Sequence, residues 1–260
     1  MIPFRPFLRH SYLSILGNFK KISPCVHILN GHIIGDQRKR GEYKFRQLLE
    51  YLSNHVDFLN IEKACELIMA KSQLTRPAVA FTFDDGFDDC YHEIAPVLDE
   101  FNVNAAFFIN PNFTYGNDDY IRKFLKEKAP HLTFRRPMNV DMIQELHHRG
   151  FIIGAHGLDH ERLLSSDSMF LEQQIIECKR KIEDMLQNEC AYFAWPYGKY
   201  SDISEKAMEM VQNLYRYNFS SDKYTYYTSD KVFNRRHFEC NWPASHLYYF
   251  LSSQRQHEPG

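Results

Sequence analysis

Short apolar runs that stop abruptly at polar clusters, alternating with stretches of helical periodicity, recur along this chain and constrain its fold more than any other feature. Ala78–Phe83 is the clearest: it carries Val79, Phe81 and Thr82 and ends at Asp84-Asp85-Gly86. This is the pattern of a buried strand that delivers polar side chains at its C-terminal edge. Residues 104–109 make a second buried strand, stopped by Asn110-Pro111-Asn112, and residues 151–154 a third, running into His156-Gly157-Leu158-Asp159-His160. Residues 25–28 and 191–194 read the same way, the latter broken by Trp195-Pro196-Tyr197-Gly198.

Between these runs the period changes. Phe45, Leu48, Leu49 and Leu52 recur at i, i+3, i+4 and i+7, as do Ile94, Val97, Leu98 and Phe101, and both sets predict helices. Further helices are expected at 61–70, at 141–149 with Gly150 as the stop, from a cap at Asp167 to about Gln187, and at 201–214. Two aromatic strands, 215–219 and 224–228, and a last segment from Val232 follow. Strand–helix alternation implies a parallel sheet with right-handed crossovers, in which functional loops gather beyond the strand C-termini. Neither a Gly-x-Gly-x-x-Gly turn nor a phosphate loop is present, which argues against a nucleotide-binding version. With no repeat and no Gly/Ser/Pro-rich linker, the chain reads as a single domain, residues 25–260, behind an N-terminal extension of residues 1–24.

Charge and composition narrow the partners. Of 260 residues, 44% are hydrophobic, enough for a sizeable core, and a net charge of −2 offers no global field to gather nucleic acid, so none is expected as partner. Six cysteines (Cys25, Cys65, Cys90, Cys178, Cys190, Cys240) are scattered without CxxC pairing, which suggests a reducing, cytoplasmic setting. The first 21 residues set Arg5, Arg9, Lys20 and Lys21 among Phe4, Phe7, Leu8, Leu13, Ile15 and Leu16, without an uninterrupted apolar run. Such a stretch could rest peripherally on an anionic membrane. A helix packed on its own domain is the simpler expectation.

The polar clusters carry the chemistry. Asp84 and Asp85 follow a strand so directly that their side chains should face different sides, one toward a cation and one toward substrate, although an acidic pair beside a glycine also serves as a turn cap. His156 and His160 are four apart, a spacing that on a helical turn sets both imidazoles on one side to clasp a divalent ion; two unrelated loop histidines are the alternative. Two imidazoles with one carboxylate leave coordination positions open, as in catalytic rather than structural metal sites, and a free carboxylate nearby can act as general base. Amide or ester hydrolysis follows. A phosphoesterase would normally recruit more carboxylates or a second ion.

At these residues the chain resembles the polysaccharide deacetylase family, carbohydrate esterase family 4, named for a rhizobial nodulation chitooligosaccharide deacetylase domain. Thr82-Phe83-Asp84-Asp85-Gly86 reproduces its first motif, and His156-Gly157-Leu158-Asp159-His160 resembles its second, with Gly157 where serine or threonine is common. Phe193-Ala194-Trp195-Pro196-Tyr197-Gly198 looks like its third, with Ala194 at a position many members fill with an arginine that orients the catalytic aspartate. Arg236 is the expected substitute. The resemblance spans about residues 27–236 and implies an α/β fold, a distorted (β/α) barrel of about seven parallel strands. It further implies Asp84 as base, a metal held by Asp85, His156 and His160, and the Tyr197 backbone N–H as oxyanion donor. The family's late histidine, a general acid, has no clear counterpart. His237 is the nearest option and His246 a poorer one, a surface position being the simpler expectation for both, while Trp195 and Trp242 could stack on sugar or belong to the core.

The implied activity is removal of an N-acetyl group from an amino sugar of a glycan or glycan precursor, with one divalent ion, zinc favoured and nickel or cobalt compatible. The expected substrate is an N-acetylated saccharide in a cytoplasmic pool. De-N-formylation or O-acyl removal needs the same machinery. The alternative is a metal-containing glycan-binding protein of the same fold that has lost turnover, prompted by the missing arginine and the unlocated acid.

Overall fold

Each apolar run becomes a strand of one sheet in the computed structural model, which describes residues 4–222 and 231–253; the strand expected at 224–228 lies outside the described residues. In chain order the elements are α1 (Phe4–Gly17), β1 (Val26–Gly31), α2 (Arg38–Ser53), β2 (Asp57–Phe58), α3 (Ile61–Met69), β3 (Ala78–Phe83), α4 (Ala95–Glu100) and β4 (Ala105–Ile109). They continue with α5 (Pro111–Thr114), α6 (Asp118–Lys128), α7 (Val140–His148), β5 (Ile152–Ala155), α8 (Ser168–Leu171), α9 (Cys178–Leu186) and β6 (Tyr192–Ala194). The last are α10 (Glu205–Leu214), β7 (Tyr217–Ser220), β8 (Val232–Asn234), β9 (Arg236–His237) and α11 (Ala244–Leu251). The helix read from Asp167 to Gln187 is one run, α8 and α9 joined by a π-helical turn; Asp167 accepts from Met169 N at 3.0 Å and Gln187 ends it in a left-handed conformation. The helix read from 201 starts later, at Glu205, because Ser204 caps it.

All pairings are parallel, in the order β8-β7-β6-β5-β4-β3-β1-β9, with β2 alongside the start of β3. This is the distorted α/β barrel, with one strand more in its path than the expected seven. The reason lies at the closure. β8 pairs with β7 and β9 with β1, and a single residue, Arg235, separates β8 from β9, so one short segment contacts both ends of the sheet.

Alternation along the strands sorts side chains into two layers. Val79, Phe81, Phe83, Phe107, Ile153 and Phe193 face outward, where α2, α4, α7 and α9 cover them; α2 buries Phe45, Leu48, Leu49 and Leu52, the four residues its periodicity singles out. Truncating a ring such as Phe45 to alanine would cost about 3–5 kcal/mol. Val26, Ile28, Ala80, Ala106, Ala194, Phe108, Phe219 and Phe233 face inward. A narrow barrel holds few large rings, so small residues stand opposite large ones. The α3 residues Ile61, Ala64, Cys65 and Ile68 join this inner layer and plug the barrel opposite the strand C-termini. All six cysteines are buried, and none is in a disulfide.

Candidate active site

The inward parity continues past the strand ends. Asp84 extends the series Ala80, Thr82, and its N–H still bonds Gly31 O at 3.0 Å; His156 continues β5, its N–H bonding Ile109 O at 2.9 Å. Asn30 and Arg235 continue the inward series of β1 and β8. Polar groups thus crown an apolar core at the C-terminal end of the barrel.

Asp84 and Arg235 form a buried, two-pronged ion pair: Nη1 reaches Oδ1 at 2.7 Å and Nη2 reaches Oδ2 at 2.9 Å. Arg235 is 1% exposed and lies over the Phe108 ring, with Thr82 Oγ1 and Asn30 Oδ1 at 3.1 and 3.3 Å from Nη1. Burial alone would raise the Asp84 carboxyl, but the Arg235 charge, helped by His156, outweighs it and holds the group below the usual carboxylate range. The arginine expected at Asp84 was Arg236. The structure places its neighbour there, because the inward parity that brings Phe233 into the barrel falls on residue 235, while Arg236 turns out and stacks on Phe250 at 3.7 Å.

Asp85, as expected, faces another way. Its Oδ1 lies 3.5 Å from His156 Nε2 and 3.3 Å from His160 Nε2, and the three donor atoms lie within 4.8 Å of one another. Oδ1 is buried with no hydrogen-bond partner. His156 Nδ1 meets the Ala194 carbonyl at 2.6 Å, which can only accept, so that nitrogen carries the proton and Nε2 presents a lone pair to Asp85. Burial pulls both imidazoles down to about 4 and pushes the Asp85 carboxyl up. Converging buried lone pairs with every charged form disfavoured are what a divalent cation would resolve, so the residues present fit one.

The two histidines do not meet on a helical turn. Residues 156–160 form a tight loop in which Gly157 (φ +73) and His160 (φ +55) adopt left-handed conformations, so the i, i+4 spacing is realised by backbone reversal. Gly157 is suited to its position, where a side chain would be strained. Asp85 (φ +72) and Tyr197 (φ +64) are left-handed too, and three site residues in this sparsely populated region mark stored strain. Sequence reasoning did not anticipate the clamps that hold the loop. Asn110 donates to the Gly157 carbonyl at 2.9 Å, Gln174 accepts from Leu158 and Asp159 N–H at 3.1 Å, and Asn112 and Tyr120 donate to Asp159, each at 2.7 Å. Asn110 had served only as a strand stop.

These groups floor a cavity of about 590 Å³ whose walls include His32, His131, Lys128, Tyr197, His237 and Glu239. The Tyr197 ring lies between His160, centroids 4.8 Å apart, and the Arg162 guanidinium at 3.8 Å. His237 Nε2 bonds Glu239 Oε1 at 2.9 Å, and burial of Glu239 is outweighed by His237, which lowers its carboxyl. His246 is buried against Ser14 and Trp242, away from these walls, and drops out. Trp195 is core, its indole donating to Lys199 O at 2.9 Å. His32 and His131 carried no sequence signal, since each sits alone in a loop.

Fold and site together define a class: a parallel α/β barrel with an ion-paired aspartate beside an Asp/His₂ metal-type cluster at its strand C-termini. The polysaccharide deacetylase model matches residues 71–214, more than half of the chain, and the chain belongs to that family. The family comprises hydrolases acting on N-acetyl groups. The chain is 23% identical over 176 residues to YxkH of Bacillus subtilis (strain 168), whose assignment as a polysaccharide deacetylase is itself provisional; the match covers 67% of this chain and 57% of the relative's length. Among solved structures, IcaB from Ammonifex degensii superposes with a TM-score of 0.68 at 19% identity, covering 88% of this chain and 99% of its own. The Streptococcus pyogenes deacetylase PplD, solved with acetate, gives 0.67 at 14% identity over 90% and 100%. At such identities these likenesses concern the fold.

Proposed function

We propose that this protein is a metal-dependent deacetylase that hydrolyses the N-acetyl group of an amino sugar in a glycan or glycan precursor. The observation that carries the reading is the pairing of Asp84, held charged by Arg235, with a separate cluster of cation donors on the same cavity floor, whose His156 Nε2 lies 4.0 Å from Asp84 Oδ2. Asp85, His156 and His160 would hold the ion, with zinc favoured and nickel or cobalt compatible with the same donors. When bound, such an ion supplies Lewis acidity, polarising an acyl oxygen and making water more acidic.

The chain's own groups supply the rest. Asp84, kept charged by Arg235, takes a proton from the attacking water as its oxygen bonds to the acyl carbon. The Tyr197 backbone N–H donates to the oxyanion. The carbon–nitrogen bond then breaks, and His237, oriented by Glu239, protonates the leaving nitrogen; acetate and a free amine result. Arg235 in the role assigned to Arg236 removes the main prompt for a binding protein without turnover. Among the described residues one Asp/His cluster is found, which suits one ion rather than the two of many phosphoesterases. Six buried cysteines, none in a disulfide, favour a cytoplasmic setting and hence a lipid- or nucleotide-linked precursor as substrate.

The test is acetate release from N-acetylated oligosaccharides with added divalent ions. Asp84→Asn should lower turnover by about 10²–10⁴-fold while keeping its metal. Unchanged release by Asp84→Asn would refute the assignment, and absence of release by wild type across N-acetyl sugars would refute the activity.

A further inference from the structure

The expectation that the N-terminal helix merely packs on its own domain holds for one of its faces. Leu13 and Gly17 are buried against α11, where Gly17 comes so close that a Cβ would stand 1.8 Å from the Ser245 carbonyl, and Ser14 meets His246 at 3.3 Å. The other face is apolar and in water. Tyr12, Ile15 and Phe19, spaced along one side of α1 and the turn that follows it, are 55%, 61% and 84% exposed. The exposed Lys20 and Lys21 come next, and the first 35 residues contain no Asp or Glu, although the whole chain carries a net charge of −2.

We infer that this face is a docking surface for an anionic lipid bilayer. Aromatic and aliphatic side chains beside lysines, with no acidic residue in the segment, match the interfacial pattern in which rings enter the headgroup boundary while basic groups stay with lipid phosphates. Charge decides against a second copy as occupant, since two such faces would bring Lys20 and Lys21 of one chain toward those of the other without a compensating acid. Gly17 packs on Ser245, in the helix that follows the loop carrying Asn241 of the cavity wall.

Co-sedimentation of the full chain with phosphatidylglycerol/phosphatidylcholine vesicles, against phosphatidylcholine alone, tests this. Anionic vesicles should bind on the order of tenfold or more tightly, with loss at high salt. Lys20→Glu/Lys21→Glu and, separately, Ile15→Ser/Phe19→Ser should each lower binding by about tenfold or more. These sites are exposed, and unchanged circular dichroism will establish that the variants fold. No preference for anionic vesicles in the wild type, or binding retained in both variants, would overturn the inference. A concentration-dependent dimer abolished by Ile15→Ser/Phe19→Ser would overturn it in favour of a second copy.

Discussion

Replacing Arg235 by methionine, compared with the same change at Arg236, separates two adjacent arginines that look equivalent in sequence. Arg235 is 1% exposed and gives both prongs of its guanidinium to Asp84, itself 3% exposed. Methionine fills similar space but leaves the carboxylate buried without its cation, a loss of about 3–5 kcal/mol. With a urea slope of about 2 kcal/mol per molar, that lowers the unfolding midpoint by roughly 2 M. Arg236→Met removes a stacking contact with Phe250 and should cost about 0.5–1 kcal/mol. Adding Asp84→Asn to Arg235→Met removes the unpaired charge, so the double variant should recover part of the loss, with a coupling energy of about 1 kcal/mol or more in a double-mutant cycle. Turnover should fall strongly for Arg235→Met and little for Arg236→Met, and both variants should keep metal. If Arg236→Met were the more destabilising, or Arg235→Met lay within about 0.5 kcal/mol of wild type, the seam geometry would be wrong.

Three further outcomes are expected. Asp89 is fully buried, takes two bonds from Arg135 at 2.5 and 2.6 Å and one from Ile34 N–H at 3.0 Å, and so ties the loops bearing His32 and His131; Arg135→Met should destabilise by about 3–5 kcal/mol in urea unfolding, and a loss below about 1 kcal/mol would contradict this. Asn110→Ala, which frees the carbonyls of His156 and Gly157, should weaken metal binding about 10–100-fold in competition with a chelating dye, and unchanged affinity would show that the loop holds without it. In metal-free protein, His156 and His160 protonate near 4 when folded against the usual 6.5 when unfolded, so between these values the unfolded chain binds more protons and stability falls as pH drops from about 6.5 to 4; the raised Asp85 carboxyl opposes this but is one group against two. The fall in Tm over that window should be steeper for wild type than for His156→Gln/His160→Gln, and equal slopes would remove the two imidazoles as its cause.

What the sequence revealed, and what it hid, follows from the range of the interactions. Buried strands announce themselves locally, so Ala78–Phe83 is read to the residue, and α2 shows its buried face in four positions. Asp84, Asp85 and His156 were legible because they follow directly on such runs, and His160 because it stands four residues beyond His156. Arg235 was not. Its partner is 151 positions away, and only barrel closure, which makes residue 235 an inward position between two three- and two-residue strands, decides between it and Arg236. Two unequal errors share that origin: the i, i+4 histidines suggested a helical turn, whereas backbone reversal at Gly157 and clamps from Asn110 and Gln174, all set by tertiary packing, bring them together.

The proposed reaction depends above all on a single cation seated among Asp85, His156 and His160. Crystals of the full chain grown with zinc, measured on both sides of the zinc absorption edge, put the question directly. One anomalous peak per chain, about 2.0–2.2 Å from Asp85 Oδ1 and the two Nε2 atoms, is the predicted result. A peak held by other residues, two peaks in the cavity, or no density among these three side chains at saturating zinc would contradict it.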